Sequence, residues 1–98
     1  MEWIMLKTPP AEAILAVEGS ALGRLLGPAR SRVLVSLSRP KTTREVAADL
    51  GLAASTTSEH LRVLADAGVA ARTRIGRRVY YRQTVVGQRL VSMFVSTE

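Results

Sequence analysis

The 98-residue chain has no cysteine, a single histidine, and aromatic side chains at only 4% of positions. Without Cys there is no disulfide, no thiolate metal site and no thiol nucleophile. One His, no clustered carboxylates and no glycine-rich phosphate loop leave an enzyme without a constellation to work with. Apolar runs are short as well, and none approaches the ~20 residues needed to cross a bilayer. The opening MEWIMLK is too short and too acidic for a secretory signal, so the cytoplasm is the expected location and no membrane partner is expected. Acidic residues are scarce: 8 Asp and Glu against 14 Lys and Arg leave a formal charge of +6. Such an excess is the footprint of a polyanion partner. Nucleic acid is the usual one; an anionic membrane face or merely solubilising charge are the alternatives, and the distribution of the charge separates them.

A chain this short forms one domain with a modest core, and such domains often gain stability by pairing with a second copy. No internal repeat or low-complexity tract is present. The N-terminal segment to about residue 27 holds Ile14, Leu15, Val17, Leu22, Leu25 and Leu26, with Pro9 and Pro10 ahead of them. Proline suits a first helical turn, so a helix is predicted over 10–17, broken by Gly19. Pro28 opens a second helix with Val33, Leu34 and Leu37, and Pro40 ends it.

The middle of the chain carries stronger signals. Thr42-Thr43-Arg44-Glu45 has capping-box spacing, Val46, Ala47 and Leu50 follow as an inward face, and Gly51 suits a left-handed stop. Thr57, Leu61, Leu64 and Ala65 recur at i, i+4, i+7 and i+8, a second amphipathic helix that Gly68 ends. The period then changes. Residues 69–74 and 78–83 read as strands around Ile75-Gly76-Arg77, a short hairpin connection. Val86, Leu90, Met93 and Phe94 form a last helical stripe after Thr84, a suitable N-cap. The expected fold is mainly α with a two-stranded β wing (α+β), a winged helix-turn-helix flanked by N- and C-terminal dimerisation helices. The expected divisions of this single domain, 1–98, are a helical segment to 27, the helix-turn-helix over 42–67, the wing over 69–83 and a last helix over 85–96.

The chemistry follows from that layout. With Thr57, Leu61, Leu64 and Ala65 inward, the open face of the second helix presents Ser55, Thr56, Ser58, Glu59 and Arg62. Arg can pair two acceptors on guanine, Glu can accept from cytosine, and Ser or Thr can serve base or phosphate. The hairpin carries Arg72, Arg74, Arg77, Arg78 and Arg82, suited to phosphates or to the adjacent minor groove. Plainer roles exist for each. A charged hairpin also serves as a solvated sheet edge guarded from aggregation. Arg62 has the i, i+4 spacing to pair with Asp66. His60 suits packing or a hydrogen bond at the turn, and Ser58 with His60 cannot form a catalytic pair because i, i+2 side chains diverge. Of Tyr80 and Tyr81, alternation puts one in the core and one on the wing surface.

Leu50-Gly51-Leu52, Ser58-Glu59-His60-Leu61-Arg62-Val63-Leu64, Ala67-Gly68-Val69 and Gly76-Arg77-Arg78-Val79-Tyr80-Tyr81 stand in one ordered set. Together they resemble the ArsR-type (arsenical-resistance-repressor-like) family of bacterial transcriptional regulators over roughly residues 42–84. The resemblance implies a homodimer packed through its terminal helices that binds a pseudo-palindromic double-stranded DNA operator as a repressor. The dimer face would use Ile14, Val17, Leu22, Val86, Leu90, Met93 and Phe94. One position departs from the family: Ala53 stands where a serine usually caps the recognition helix. Ser55 or Thr56 then becomes the candidate cap, and Glu59 either closes a capping box with Thr56 or reads a base. Metal sensing, common in that family, needs ligands. Residues 42–50 hold no Cys and residues 84–97 no Asp, Glu or His, so no metal and no cofactor are expected. Two other readings stay open: a winged helix docking on an acidic protein, and the DNA-binding module of a longer regulator.

Overall fold

The computed structural model describes residues 21–94; the helix predicted over 10–17 lies outside them. The first described helix, α1 (Ala21–Leu26), is a short element that the sequence pattern did not separate from the N-terminal segment. Helix α2 (Pro28–Ser36) starts with proline in its first turn, as expected. Its second half is buried all round: Val33, Leu34 and Leu37 enter the main core, while Val35 packs on Leu22 in a smaller cluster. A helix turn buried on every side belongs in the middle of a fold, and the buried Ser31 and Ser36 of α2 donate to carbonyls of the same helix.

Helix α3 (Thr43–Leu50) begins with the predicted capping box. The Glu45 amide donates to Thr42 Oγ1 at 3.1 Å, and the Thr42 amide donates to Glu45 Oε1 at 2.9 Å. Gly51 ends the helix at φ 68°, a left-handed conformation that L side chains resist. Helix α4 (Ala54–Asp66) follows after a three-residue turn. Here one expectation is corrected. The N-cap is Ala53, with no side-chain cap, so Ser55 and Thr56 lie inside the first turn and Glu59 closes no capping box. The hydroxyl near this end points inward instead: Thr57 is fully buried and donates to the Ala53 carbonyl at 2.9 Å.

Strands β1 (Ala70–Ile75) and β2 (Arg78–Gln83) pair antiparallel from Ala70↔Gln83 to Ile75↔Arg78. Ile75 is therefore a paired residue, and the connection is two residues, Gly76-Arg77, rather than the three expected. Gly76 sits at φ 63° while Arg77 has no positive φ, the pattern of a type II′ turn. Lys41 adds a bridge on the far edge of β2, exchanging both backbone hydrogen bonds with Tyr81 at 2.7 and 2.9 Å. Gln83 is buried and donates through Nε2 to the Leu34 carbonyl at 2.8 Å, which ties the base of the hairpin to α2.

Helix α5 (Val85–Phe94) packs on α1, α2 and β2. Thr84 caps it as expected: its hydroxyl accepts from the Gly87 amide at 3.0 Å and donates to the Gly68 carbonyl at 2.7 Å. The core gathers Leu34, Leu37, Val46, Leu61, Leu64 and Tyr81 from four helices and strands. Each such Leu contributes about 1.5–3 kcal/mol by leaving water. This common core sets the orientation of α4 and of the hairpin together.

Candidate nucleic-acid interface

Helix α4 is held from below by Thr57, Leu61 and Leu64, all essentially buried. That register leaves Ser55, Thr56, Ser58, Glu59 and Arg62 exposed, as the apolar spacing predicts. With no side-chain cap at Ala53, the amides at the positive end of α4 stay open alongside these residues. Val63 is exposed on the same helix and was not among the expected contacts. An apolar side chain there suits a thymine methyl, so the search for polar readers alone passed it over.

The hairpin divides its arginines by strand alternation. Residues paired across the ladder share a face. Arg72 stands opposite Tyr81 and Arg74 opposite Val79, on the face that carries the buried Ala70 and Gln83. Arg78 and Arg82 lie on the other face with Ile75 and Thr73, and Arg77 occupies the turn. Guanidinium groups thus project from both faces and from the tip. Among the described residues, Arg62, Arg72, Arg74, Arg77 and Arg78 make no ion pair. The i, i+4 pairing of Arg62 with Asp66 is not formed. Lys41 and Asp49, by contrast, meet at 2.8 Å. Tyr81 is the core tyrosine and Tyr80 the half-buried one, in line with the alternation.

Two depressions flank the hairpin, one at its root and one nearer its turn. A cleft of about 530 Å³ between α4 and β1 is rimmed by Arg62, Asp66, Arg72 and Tyr81 over Ala65, Ala70 and Ala71. A groove of about 390 Å³ on the other side joins Arg44 and Arg78 beside Thr42, Thr43, Glu45 and Val79. Arg44 escaped the sequence reading. Its signal was its place: a cation in the first turn of a helix opposes the macrodipole, so an anion is the partner that resolves it.

The expected dimer residues scatter. Leu22 is 0% exposed, enclosed by Val35, Leu26, Leu90 and Val91, so it belongs to the chain's own core and not to an open face. Leu90 is half-buried in the same packing. Val86 at 61% and Met93 at 74% are open, and so are Leu25 and Val85. Ile14, Val17 and the side chain of Phe94 lie outside the described residues.

His60 is half-buried between α4 and α2, and its Nδ1 is sealed without a hydrogen-bond partner. Desolvation lowers its pKa, the nearby Arg30 lowers it further, and Glu59 opposes both. The folded state therefore holds the neutral ring while the unfolded chain protonates near the ordinary value of about 6.5. Stability is full above that value and declines as pH falls through it toward the folded-state pKa. Urea midpoints of the native protein should drop on acidification through this window, and His60→Gln should flatten the drop. Identical pH profiles for the two proteins would remove His60 as the cause. Among the described residues, no three His, Cys, Asp or Glu side chains gather to hold a metal ion, and no helix is long and apolar enough to cross a membrane.

Residues 27–72 match the family described as bacterial regulatory protein, arsR family. No curated protein and no solved structure matches the chain. The matched segment runs from the start of α2 through α3 and α4 into β1, and the elements beyond it complete the wing. Residues 27–72 are thus similar to the arsR family, and together with the hairpin they form a winged helix-turn-helix, the domain of a DNA-binding transcriptional regulator.

Proposed function

We propose that the protein is a homodimeric, operator-specific repressor that responds to no metal ion. The observation that carries the reading is the pairing of a polar, uncapped α4 face with a hairpin whose arginines have no carboxylate partner among the described residues. Helix α4 enters the major groove and contacts DNA through Ser55, Thr56, Ser58, Glu59 and Arg62. Arg72, Arg74, Arg77 and Arg78 meet phosphates and the adjacent minor groove. A DNA-bound dimer of this size regulates most simply by occupying its site. Metal-free operation is supported by the absence of Cys from the whole chain and of His and carboxylates from residues 84–97.

Duplex selection from a random pool tests the reading. A pseudo-palindromic consensus supports it, with binding that weakens steeply as salt rises. Retention of duplexes with no enriched sequence would remove operator specificity. Failure to bind duplex at all would leave protein docking as the role of the arginines.

The dimer rests on Val86, Met93 and Leu25, large apolar side chains exposed on the adjoining helices α5 and α1. Contiguous apolar surface of this kind marks an interface. Light scattering at tens of micromolar should return twice the 10.6 kDa chain mass. The double variant Val86→Asp with Met93→Asp should return the single-chain mass with its helical content intact. A wild-type monomer at that concentration would sink the proposal.

A further inference from the structure

Duplex DNA separates its major groove from the neighbouring minor groove by one sugar-phosphate strand. A protein that lays a helix in the first and a hairpin in the second must pass that strand between them. In this molecule the intervening space is the cleft between α4 and β1. We infer that the cleft is a phosphodiester site clamped by Arg62 and Arg72, which makes Arg62 a backbone-positioning residue and not a base reader. The inference rests on the DNA-binding reading and refines which part of the duplex each side chain meets.

The cleft has the form this role needs. Its floor is Ala65, Ala70 and Ala71, whose methyl groups let a strand come close where longer side chains would fill the space. Arg62 and Arg72 line the cleft from opposite sides, one from the helix and one from the strand, and neither pairs with a carboxylate among the described residues. Tyr81 lines the same cleft with its ring in the core, and among the described residues its hydroxyl has no hydrogen-bond partner and is not sealed from solvent. A phenolic O–H open to the cleft can donate to a phosphate oxygen. Arg62 also stands in the C-terminal half of α4, beyond the N-terminal residues from which such helices contact base edges.

Asp66 gives the site its asymmetry. Its carboxylate lines the cleft without an ion pair among the described residues and repels phosphate. The strand is thereby held toward Arg62, Arg72 and Tyr81, and binding to every duplex is weaker than the two arginines alone would make it. Removing that charge therefore strengthens binding without touching sequence preference, an outcome a merely structural Asp66 would not produce.

The test uses the full chain with a selected duplex and a scrambled one, titrated by fluorescence anisotropy over a range of salt. Arg62→Ala and Arg72→Ala should each weaken both duplexes by a similar factor, roughly tenfold for one lost charge-assisted contact. Each should also lower the salt slope by about 0.9. Arg62→Lys should restore the slope, and Asp66→Asn should tighten both duplexes. Random-pool selection with Arg62→Ala should return the wild-type consensus. A shifted consensus, or loss confined to the selected duplex, would overturn the clamp and return Arg62 to base reading. Weaker or unchanged binding by Asp66→Asn would also count against it. A wild-type protein with no salt-dependent duplex binding would instead overturn the DNA-binding reading beneath it.

Discussion

Replacing Arg77 and Arg78 together by alanine should weaken binding to every duplex by about the same factor and leave the preferred sequence unchanged. Both side chains are exposed and free of ion pairs among the described residues, so the fold loses nothing with them. Arg77 occupies the turn, and Arg78 stands at the end of the ladder opposite Ile75, where it also walls the groove shared with Arg44. Contacts from such positions reach phosphates and the minor-groove wall, which carry little base information. Each arginine removed should weaken binding on the order of tenfold, or roughly 1.4 kcal/mol. The salt slope should fall by about 0.9 for each, so by about 1.8 for the pair. Substituting Ser55 or Thr56 should act differently, relaxing preference at single base pairs by about 1–3 kcal/mol. A wing variant that selects a new consensus, while α4 variants keep the old one, would make the hairpin the reader and the helix the clamp. Unchanged melting temperature is the control that assigns any loss to the interface.

The layout of helix and hairpin behind that expectation was largely visible in the sequence because the residues that announce it act locally. Thr42 and Glu45 satisfy each other's amides within one turn, so their spacing alone identified the start of α3. Thr57, Leu61 and Leu64 set the register of α4, and a register determines which side chains face out. Alternation likewise required one of Tyr80 and Tyr81 inside, and the structure makes it Tyr81.

What escaped depended on contacts between elements. An apolar residue near the N-terminus gives no sign of whether it covers its own core or a partner; Leu22 turned out to be enclosed by Val35 of α2 and by α5. The cap of α4 was misplaced because Ser55 and Thr56 are chemically able to cap. The helix begins earlier, and the buried Thr57 hydroxyl reaches back to Ala53 from the inside. Arg62 looked like a base reader on a helical wheel. Only the placement of β1 beside α4 shows that it borders a cleft with Arg72. The hairpin was read one residue too loose, since Ile75 looks like turn flank until its pairing with Arg78 is known.

Gly87 is the position where a single methyl group should do the most damage to the fold. Glycine within a helix is ordinarily a weakness, and alanine at this first-turn position would favour the helix by at most about 1 kcal/mol. Nothing in the spacing of Val86, Leu90 and Met93 hints at another outcome. In the fold, however, Gly87 is buried where α5 crosses the chain entering β1, and a Cβ built on it collides with the backbone carbonyl of Val69. A backbone group cannot rotate aside as a side chain does. The same carbonyl accepts the Thr84 amide at 3.1 Å, and Thr84 in turn caps α5 and bonds Gly68. Any retreat of α5 therefore strains the cap, the bond to Gly68 and the packing of Leu90 and Val91 together. Overpacking of this sort costs about 1–3 kcal/mol and occasionally more. The disrupted hydrogen bonds add about 1 kcal/mol each. Against a propensity gain of at most about 1 kcal/mol, Gly87→Ala should be destabilised by roughly 2–3 kcal/mol net. For a domain of this size that is a fall in melting temperature of roughly 10–20 °C. Gln88→Ala, one residue along on the exposed side of α5, should change little and serves as the control. Circular dichroism melts of the two variants decide the matter. A Gly87→Ala protein that melts at or above the wild-type temperature would mean that helix propensity wins and that α5 does not press on Val69. Because α5 also carries Val86 and Met93, the same substitution should loosen the proposed dimer, and DNA affinity should fall with it.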